Sequence, residues 1–189
     1  MKNAIKITTV VAIGVAAGLG ALNYANISSA KVSSSTQVLH TIVDRVQSFQ
    51  NIGELIDSSN LVVTGTVVKE EIVTDAVKDA PVLESTFEIK TVLAGAVPGG
   101  KSTVVVRMYT STSNQDKSNV LKVGSDYMLF LTDSGLKGDL ASQYYVTGYE
   151  AGAYVADSTT DGVTTYKRLI KTEGDVLPAT LTEADVAKN

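Results

Sequence analysis

The 189-residue chain has no cysteine, no tryptophan and a single histidine, His40. Without cysteine it cannot form a disulfide, a thiolate nucleophile or a cysteine-ligated zinc site. A Ser-His-Asp triad would depend on His40 alone, and the sequence has no Gly-x-Ser-x-Gly elbow. These absences argue against the commonest hydrolase classes, and we predict no catalytic residue, no metal and no cofactor.

Basic residues are also in the minority, with 16 Lys and Arg against 20 Asp and Glu and a net charge of −4. They form no cluster along the chain. Nucleic acids and anionic membranes are bound by basic patches, so this balance predicts no nucleic-acid partner. No apolar run after residue 30 is long enough to cross a membrane.

Residues 1–30 have the features of a secretory signal peptide. Lys2 and Lys6 are followed by an apolar run that begins at Ile7, and Ser28 and Ala30 provide small residues before a cleavage site. We therefore expect a secreted or cell-envelope protein that keeps no membrane span once the signal is removed. Retention of the segment as an anchor is the alternative, because the run approaches the length of a membrane span.

The remaining chain divides into three parts. Residues 31–51 read as a linker and an amphipathic helix, because apolar side chains recur there at helical spacing. Residues 52–170 have the alternating, β-branched pattern of short strands and predict a β-barrel domain. Residues 171–189 form a polar C-terminal tail. The fold class is therefore all-β with a minor helical part.

Two local patterns give sharper expectations. The uninterrupted apolar run Tyr127–Leu131 predicts a central strand that is buried on both faces. Asp161-Gly162 lies between two alternating segments and predicts a tight hairpin, because such turns need positive φ.

A Walker A string, Gly95-x(4)-Gly100-Lys101-Ser102, is present in the sequence. Phosphate binding by this motif requires a helix directly after the loop, whose amides face the phosphate. Thr103–Met108 follows instead, and its β-branched residues predict a strand. We therefore interpret the string as a connection between two strands.

Acidic side chains are concentrated around one predicted loop. They are Glu70, Glu71, Asp75, Asp79 and Glu84. Because a pair of carboxylates can hydrolyse glycosidic bonds, this group supports an alternative function as an envelope glycan hydrolase.

Tyrosines are concentrated near the end of the predicted barrel. We predict Tyr144, Tyr145 and Tyr149 as a binding surface, because tyrosine is enriched at interfaces. Packing of these rings along the barrel strands is the competing structural interpretation.

Three stretches, Glu54–Val67, Phe87–Gly95 and Leu121–Leu131, carry a resemblance to known proteins. Together they resemble small exported bacterial β-barrel proteins of uncharacterised function. Their strand layout is similar to the OB-fold of netrin-like and metalloproteinase-inhibitor domains. The resemblance implies an antiparallel OB-like barrel. Those inhibitors chelate the protease metal through an N-terminal cysteine, so their mechanism cannot apply to this cysteine-free chain.

These observations favour a non-enzymatic exported binding domain whose ligand is a protein or a cell-envelope polymer. The glycan hydrolase is one alternative. A structural spacer without a specific ligand is the other.

Overall fold

The computed structural model describes residues 48–75, 81–109, 121–171 and 173–188. The helices in these ranges are α1 (Ile52–Asp57) and α2 (Glu183–Ala187), and neither is long and apolar enough to span a membrane. The strands there are β1 (Leu61–Thr74), β2 (Pro81–Gly95), β3 (Thr103–Tyr109), β4 (Asp126–Asp133), β5 (Gln143–Val146), β6 (Ala153–Thr160), β7 (Val163–Arg168) and β8 (Thr180–Leu181). The predicted signal peptide, most of the predicted helix in 31–51, and His40 lie outside the described residues.

The first five strands form a closed barrel, so the predicted β-barrel is confirmed. They pair in the order β1-β2-β3-β5-β4, and β1 also pairs with β4 and closes the ring. β1 pairs with two neighbours in the ring, β2 and β4. Its first residues, Leu61–Thr66, pair with β4 and with β2, and the remainder continues along β2.

One pairing corrects the expectation of an entirely antiparallel barrel. β3 and β5 run parallel, whereas the other neighbouring strands of the ring are antiparallel. The reason is geometric. Directions cannot alternate all the way around a closed ring with an odd number of strands, so at least one pair must be parallel.

The last three strands continue the sheet beyond the barrel. Both β5 and β6 pair with one edge of β4. β5 pairs with the C-terminal half of that edge, and β6 pairs with its N-terminal half. β7 and β8 then follow β6. The predicted hairpin at Asp161-Gly162 joins β6 to β7, with φ values of 51° and 78°, and is confirmed.

Two hydrophobic cores lie on opposite faces of β4. The barrel core contains Tyr127, Leu129 and Leu131, and the outer core contains Met128 and Phe130. All five side chains are at most 1% exposed, which confirms the prediction of a strand buried on both faces.

Residues from both ends of the described chain also pack in the outer core. Phe49 and α1 pack there from the N-terminal side. Residues 171–189, expected as a polar tail, contribute the buried side chains of Leu177, Leu181 and Val186. This segment therefore covers the barrel wall that β1 and β4 form.

Gly65 permits the close contact between β1 and β2. A Cβ atom at this position would lie 2.0 Å from the carbonyl oxygen of Glu88 and 2.9 Å from the ring of Phe87. The β1–β2 register shifts between Thr64 and Gly65, near the end of the segment of β1 that pairs with both β2 and β4. A larger residue would push the two strands apart at this point.

Candidate functional site

Tyr144 belongs to the barrel core. Its side chain is 3% exposed, and its register partner across the parallel pair is the buried Val106. Burial, followed by the negative charge of Asp133, raises the pKa of its hydroxyl. A side chain in this environment stabilises the barrel and is not available to a macromolecular ligand.

Tyr145 lies on the opposite face of β5, because successive side chains of a strand point to opposite sides. It is partly buried, and the guanidinium carbon of Arg107 lies 6.0 Å from the centre of its ring. The ring face of Tyr145 is therefore already in contact with a cation of the protein itself.

Tyr149 has a different environment, in the tight turn 147–152 that connects β5 to β6. We call this segment the Tyr149 turn. The Tyr149 amide donates to the carbonyl of Val146 at 3.1 Å, and the Gly152 amide donates to the carbonyl of Thr147 at 3.0 Å. The Tyr149 side chain is 38% exposed, and its backbone is left-handed with φ 67°.

The Tyr149 turn packs against Phe49 of the outer core and is hydrogen-bonded to residues near β1 and β4. Gly148, with φ 64°, lies against the ring of Phe49, where a Cβ atom would come within 2.5 Å. The hydroxyl of Thr147 lies 2.9 Å from that of Ser59 and 2.8 Å from that of Thr132. These contacts fix the turn to the start of β1 and the end of β4.

The structure therefore does not bring the three predicted tyrosines to one surface. Tyr144 is inside the barrel, Tyr145 is on the outer face against Arg107, and Tyr149 is exposed on a turn. The alternation of side chains along a strand was the sequence signal that separates Tyr144 from Tyr145. Of the three, Tyr149 alone combines exposure with an unusual backbone.

Two of the predicted loop carboxylates converge on Arg107. The Nη2 atom of Arg107 lies 3.2 Å from Oδ2 of Asp75, and its Nε lies 3.7 Å from Oε1 of Glu84. The Arg107 and Asp75 side chains are 2% and 3% exposed. Glu71 instead pairs with Lys69 at the surface, and Asp79 lies outside the described residues.

This arrangement differs from that of a glycosidase. A hydrolase needs two carboxyl groups on either side of a bound sugar, with room for water or a covalent intermediate. Here the space between Asp75 and Glu84 is filled by a guanidinium, and both Arg107 and Asp75 are buried. The geometry is that of an internal ion-pair cluster.

A second polar group lies on the outer face of β1, β2 and β4. Lys90 Nζ donates to Oδ2 of Asp126 at 2.7 Å, and Thr66 donates to the other carboxylate oxygen of Asp126. Burial raises the pKa of Asp126, but the hydrogen bonds from Lys90 and Thr66 outweigh it and leave this pKa below its usual value. Nearby, Thr64 donates to Glu183 at 2.9 Å. Among the described residues no group of three His, Asp or Glu side chains is placed to hold a metal ion.

The Walker-like string connects two strands, as predicted. Gly95, Gly99 and Gly100 have φ values of 80°, 68° and 61°, and Pro98–Gly100 forms a single 3-10 turn. β3 begins three residues after Gly100, so the helix that phosphate binding requires does not follow the loop.

Lys101 is exposed, and its one side-chain hydrogen bond within the described ranges is to the hydroxyl of Ser142 at 3.2 Å. Lys101→Ala should therefore change stability by less than about 0.5 kcal/mol. We also expect ATP to leave the melting temperature unchanged, measured by thermal denaturation of the parent and the variant. An ATP-dependent rise that Lys101→Ala abolishes would contradict the interpretation as a connection.

No protein-family model matches the chain. No curated protein matches it either.

Proposed function

We propose that this protein is an exported, non-enzymatic binding domain that acts at the cell surface or outside the cell. Its ligand is a protein or a cell-envelope polymer, and Tyr149 is the central contact. The observation that carries this proposal is the backbone of Tyr149, a bulky residue presented at the surface in a left-handed conformation on a hydrogen-bonded turn.

The left-handed backbone has an energetic cost. For an L-residue with a side chain it is roughly 1–2 kcal/mol, and glycine avoids most of it. Non-glycine residues held in such conformations concentrate at functional sites, where the surrounding structure maintains the strain. A left-handed backbone favours glycine, so the presence of a tyrosine at this position supports a role for its side chain.

The site also suits an aromatic anchor. The Tyr149 turn is fixed by Phe49, Ser59 and Thr132, so the backbone that presents Tyr149 is held in place before a ligand arrives. A tyrosine side chain has few rotatable bonds and loses little conformational entropy on binding, and tyrosines carry much of the energy at interfaces.

We further propose that the barrel is of the OB type. The ring order β1-β2-β3-β5-β4-β1 with five strands supports this relationship. It also supports the resemblance to netrin-like domains at the level of strand layout. The binding mode proposed here does not use the metal chelation of the inhibitor family.

The function can be tested with the protein purified from the extracytoplasmic fraction, where cleavage after Ala30 makes Lys31 its first residue. We expect it to be retained by an envelope fraction, and Tyr149→Gly to weaken retention roughly 30-fold, as for a central interface tyrosine. Tyr149→Ala should weaken it similarly. Because alanine keeps the left-handed strain, Tyr149→Ala should also be about 1 kcal/mol less stable than Tyr149→Gly.

The comparison of the two substitutions separates binding from folding. Asp161→Ala provides a matched control, since Asp161 is the other non-glycine residue with positive φ among those described and lies on a different turn. It should leave retention unchanged. If every variant is retained like the parent, Tyr149 is not the contact. If the parent is not retained at all, the spacer alternative gains support. Intact Met1 in a cytosolic fraction would contradict export.

A further inference from the structure

Glu150, the residue after Tyr149, is an acid that forms no ion pair with any residue the structure describes. It is partly buried on the Tyr149 turn, and its amide donates to the carbonyl of Gly148 at 2.8 Å. The described part of the chain has ion pairs at Lys69–Glu71, Lys90–Asp126, Arg107–Asp75, Arg107–Glu84 and Lys188–Asp185. None of these pairs includes Glu150.

Glu150 follows Tyr149 directly in the chain, and its negative charge acts on the Tyr149 hydroxyl. Burial raises the pKa of Tyr149, and the charge of Glu150 raises it further. Burial also raises the pKa of Glu150 itself. The ionised carboxylate is thus partly desolvated, and no neighbouring cation among the described residues compensates for the lost hydration.

An exposed tyrosine ring and a partly desolvated carboxylate attract the same kind of group. The face of an aromatic ring is the negative end of its quadrupole, so it favours a cation, as the carboxylate does. The excess of acidic residues in the whole chain, with a net charge of −4, would also draw cationic partners towards it.

We propose that the Tyr149 turn receives a lysine or arginine side chain of a partner protein. Its charged end lies at the carboxylate of Glu150, and its methylene stem packs on the ring of Tyr149. A long side chain suits this site because its stem covers apolar surface while its head reaches the acid. The inference rests on the proposed function and adds the chemistry of the ligand.

The probe is a flexible Gly-Ser peptide that carries three arginines, and its control is the same peptide with citrulline, the neutral isostere of arginine. Binding is followed by NMR titration of the Tyr149 and Glu150 backbone amides. We expect the arginine peptide to bind at these amides, more weakly as salt increases. The citrulline peptide should not bind.

Glu150→Gln should weaken binding of the arginine peptide roughly fivefold, as loss of one partly desolvated charge contact would. Glu88→Gln is the matched control, because it removes the same charge from an exposed residue of β2 and should leave binding unchanged. Two results would overturn the proposal. Equal weakening by both substitutions would show that net charge alone attracts the peptide. Binding of Glu150→Gln like the parent would show that the carboxylate of Glu150 does not attract it.

Parallel retention on the envelope fraction distinguishes this inference from the proposed function. If Tyr149→Gly loses retention but Glu150→Gln keeps it and the arginine peptide does not bind, the site is a binding site for a different ligand and the inference fails alone. If neither substitution changes retention, the proposed site itself is wrong. Loss of retention with both variants, together with the peptide result, supports both.

Discussion

Phe130→Ala is expected to lower the free energy of unfolding by about 3–5 kcal/mol, the range for a large aromatic removed from a packed core. Phe130 is fully buried in the outer core, and its ring centre lies 6.0 Å from that of Tyr154. The substitution removes these contacts and leaves a cavity that neighbouring strands cannot fill. Urea denaturation at equilibrium provides the measurement.

The backbone of Phe130 also holds the Tyr149 turn. Its amide donates to the carbonyl of Gly152, and its carbonyl accepts from the amide of Thr147, so it holds both ends of the Tyr149 turn. Val163→Ala is the control, because Val163 is 54% exposed and its truncation should cost less than about 0.5 kcal/mol. A loss below ~1 kcal/mol for Phe130→Ala would be incompatible with the central position of β4.

The second large effect is expected at Arg107. Arg107→Met should destabilise the fold by about 3–5 kcal/mol, because it keeps most of the side-chain volume but removes the buried cation that Asp75 and Glu84 face. The guanidinium is 2% exposed and faces Asp75 and Glu84. Thermal and urea denaturation of the parent and variant would measure the difference.

A second substitution assigns that loss to charge. Glu84→Gln, added to Arg107→Met, should recover part of the stability, because one of the acids that faced the guanidinium is removed. A deficit that Glu84→Gln does not relieve would identify lost packing as the cause.

Arg107 also shows why the sequence alone does not reveal the geometry of the acidic group. Asp75 is 32 residues from Arg107, and Glu84 meets Arg107 because their positions on β2 and β3 are register partners. The clustering of acids along the chain is visible in the sequence. The strand pairing supplies the cation that lies between Asp75 and Glu84 in space and joins these two acids in an internal ion-pair cluster.

The sequence by itself determined the elements whose signal is local. The apolar run 127–131 could be satisfied only by burial of both strand faces, and Asp161-Gly162 could adopt the positive φ that a tight hairpin needs. The β-branched residues after Lys101 likewise specified a strand where a phosphate-binding loop would need a helix. Each of these depends on residues close together in the chain.

The tertiary structure decided everything that depends on which strands meet. Closure of β1 onto β4 made the ring odd-numbered and required a parallel pair, and it buried Tyr144 inside the barrel while Tyr145 stayed outside. The left-handed backbone of Tyr149 lies in the turn from β5 to β6, next to Gly148, which packs against the distant Phe49. Such contacts join residues distant in sequence, and the free energy that selects them comes from packing and pairing, which local patterns do not specify.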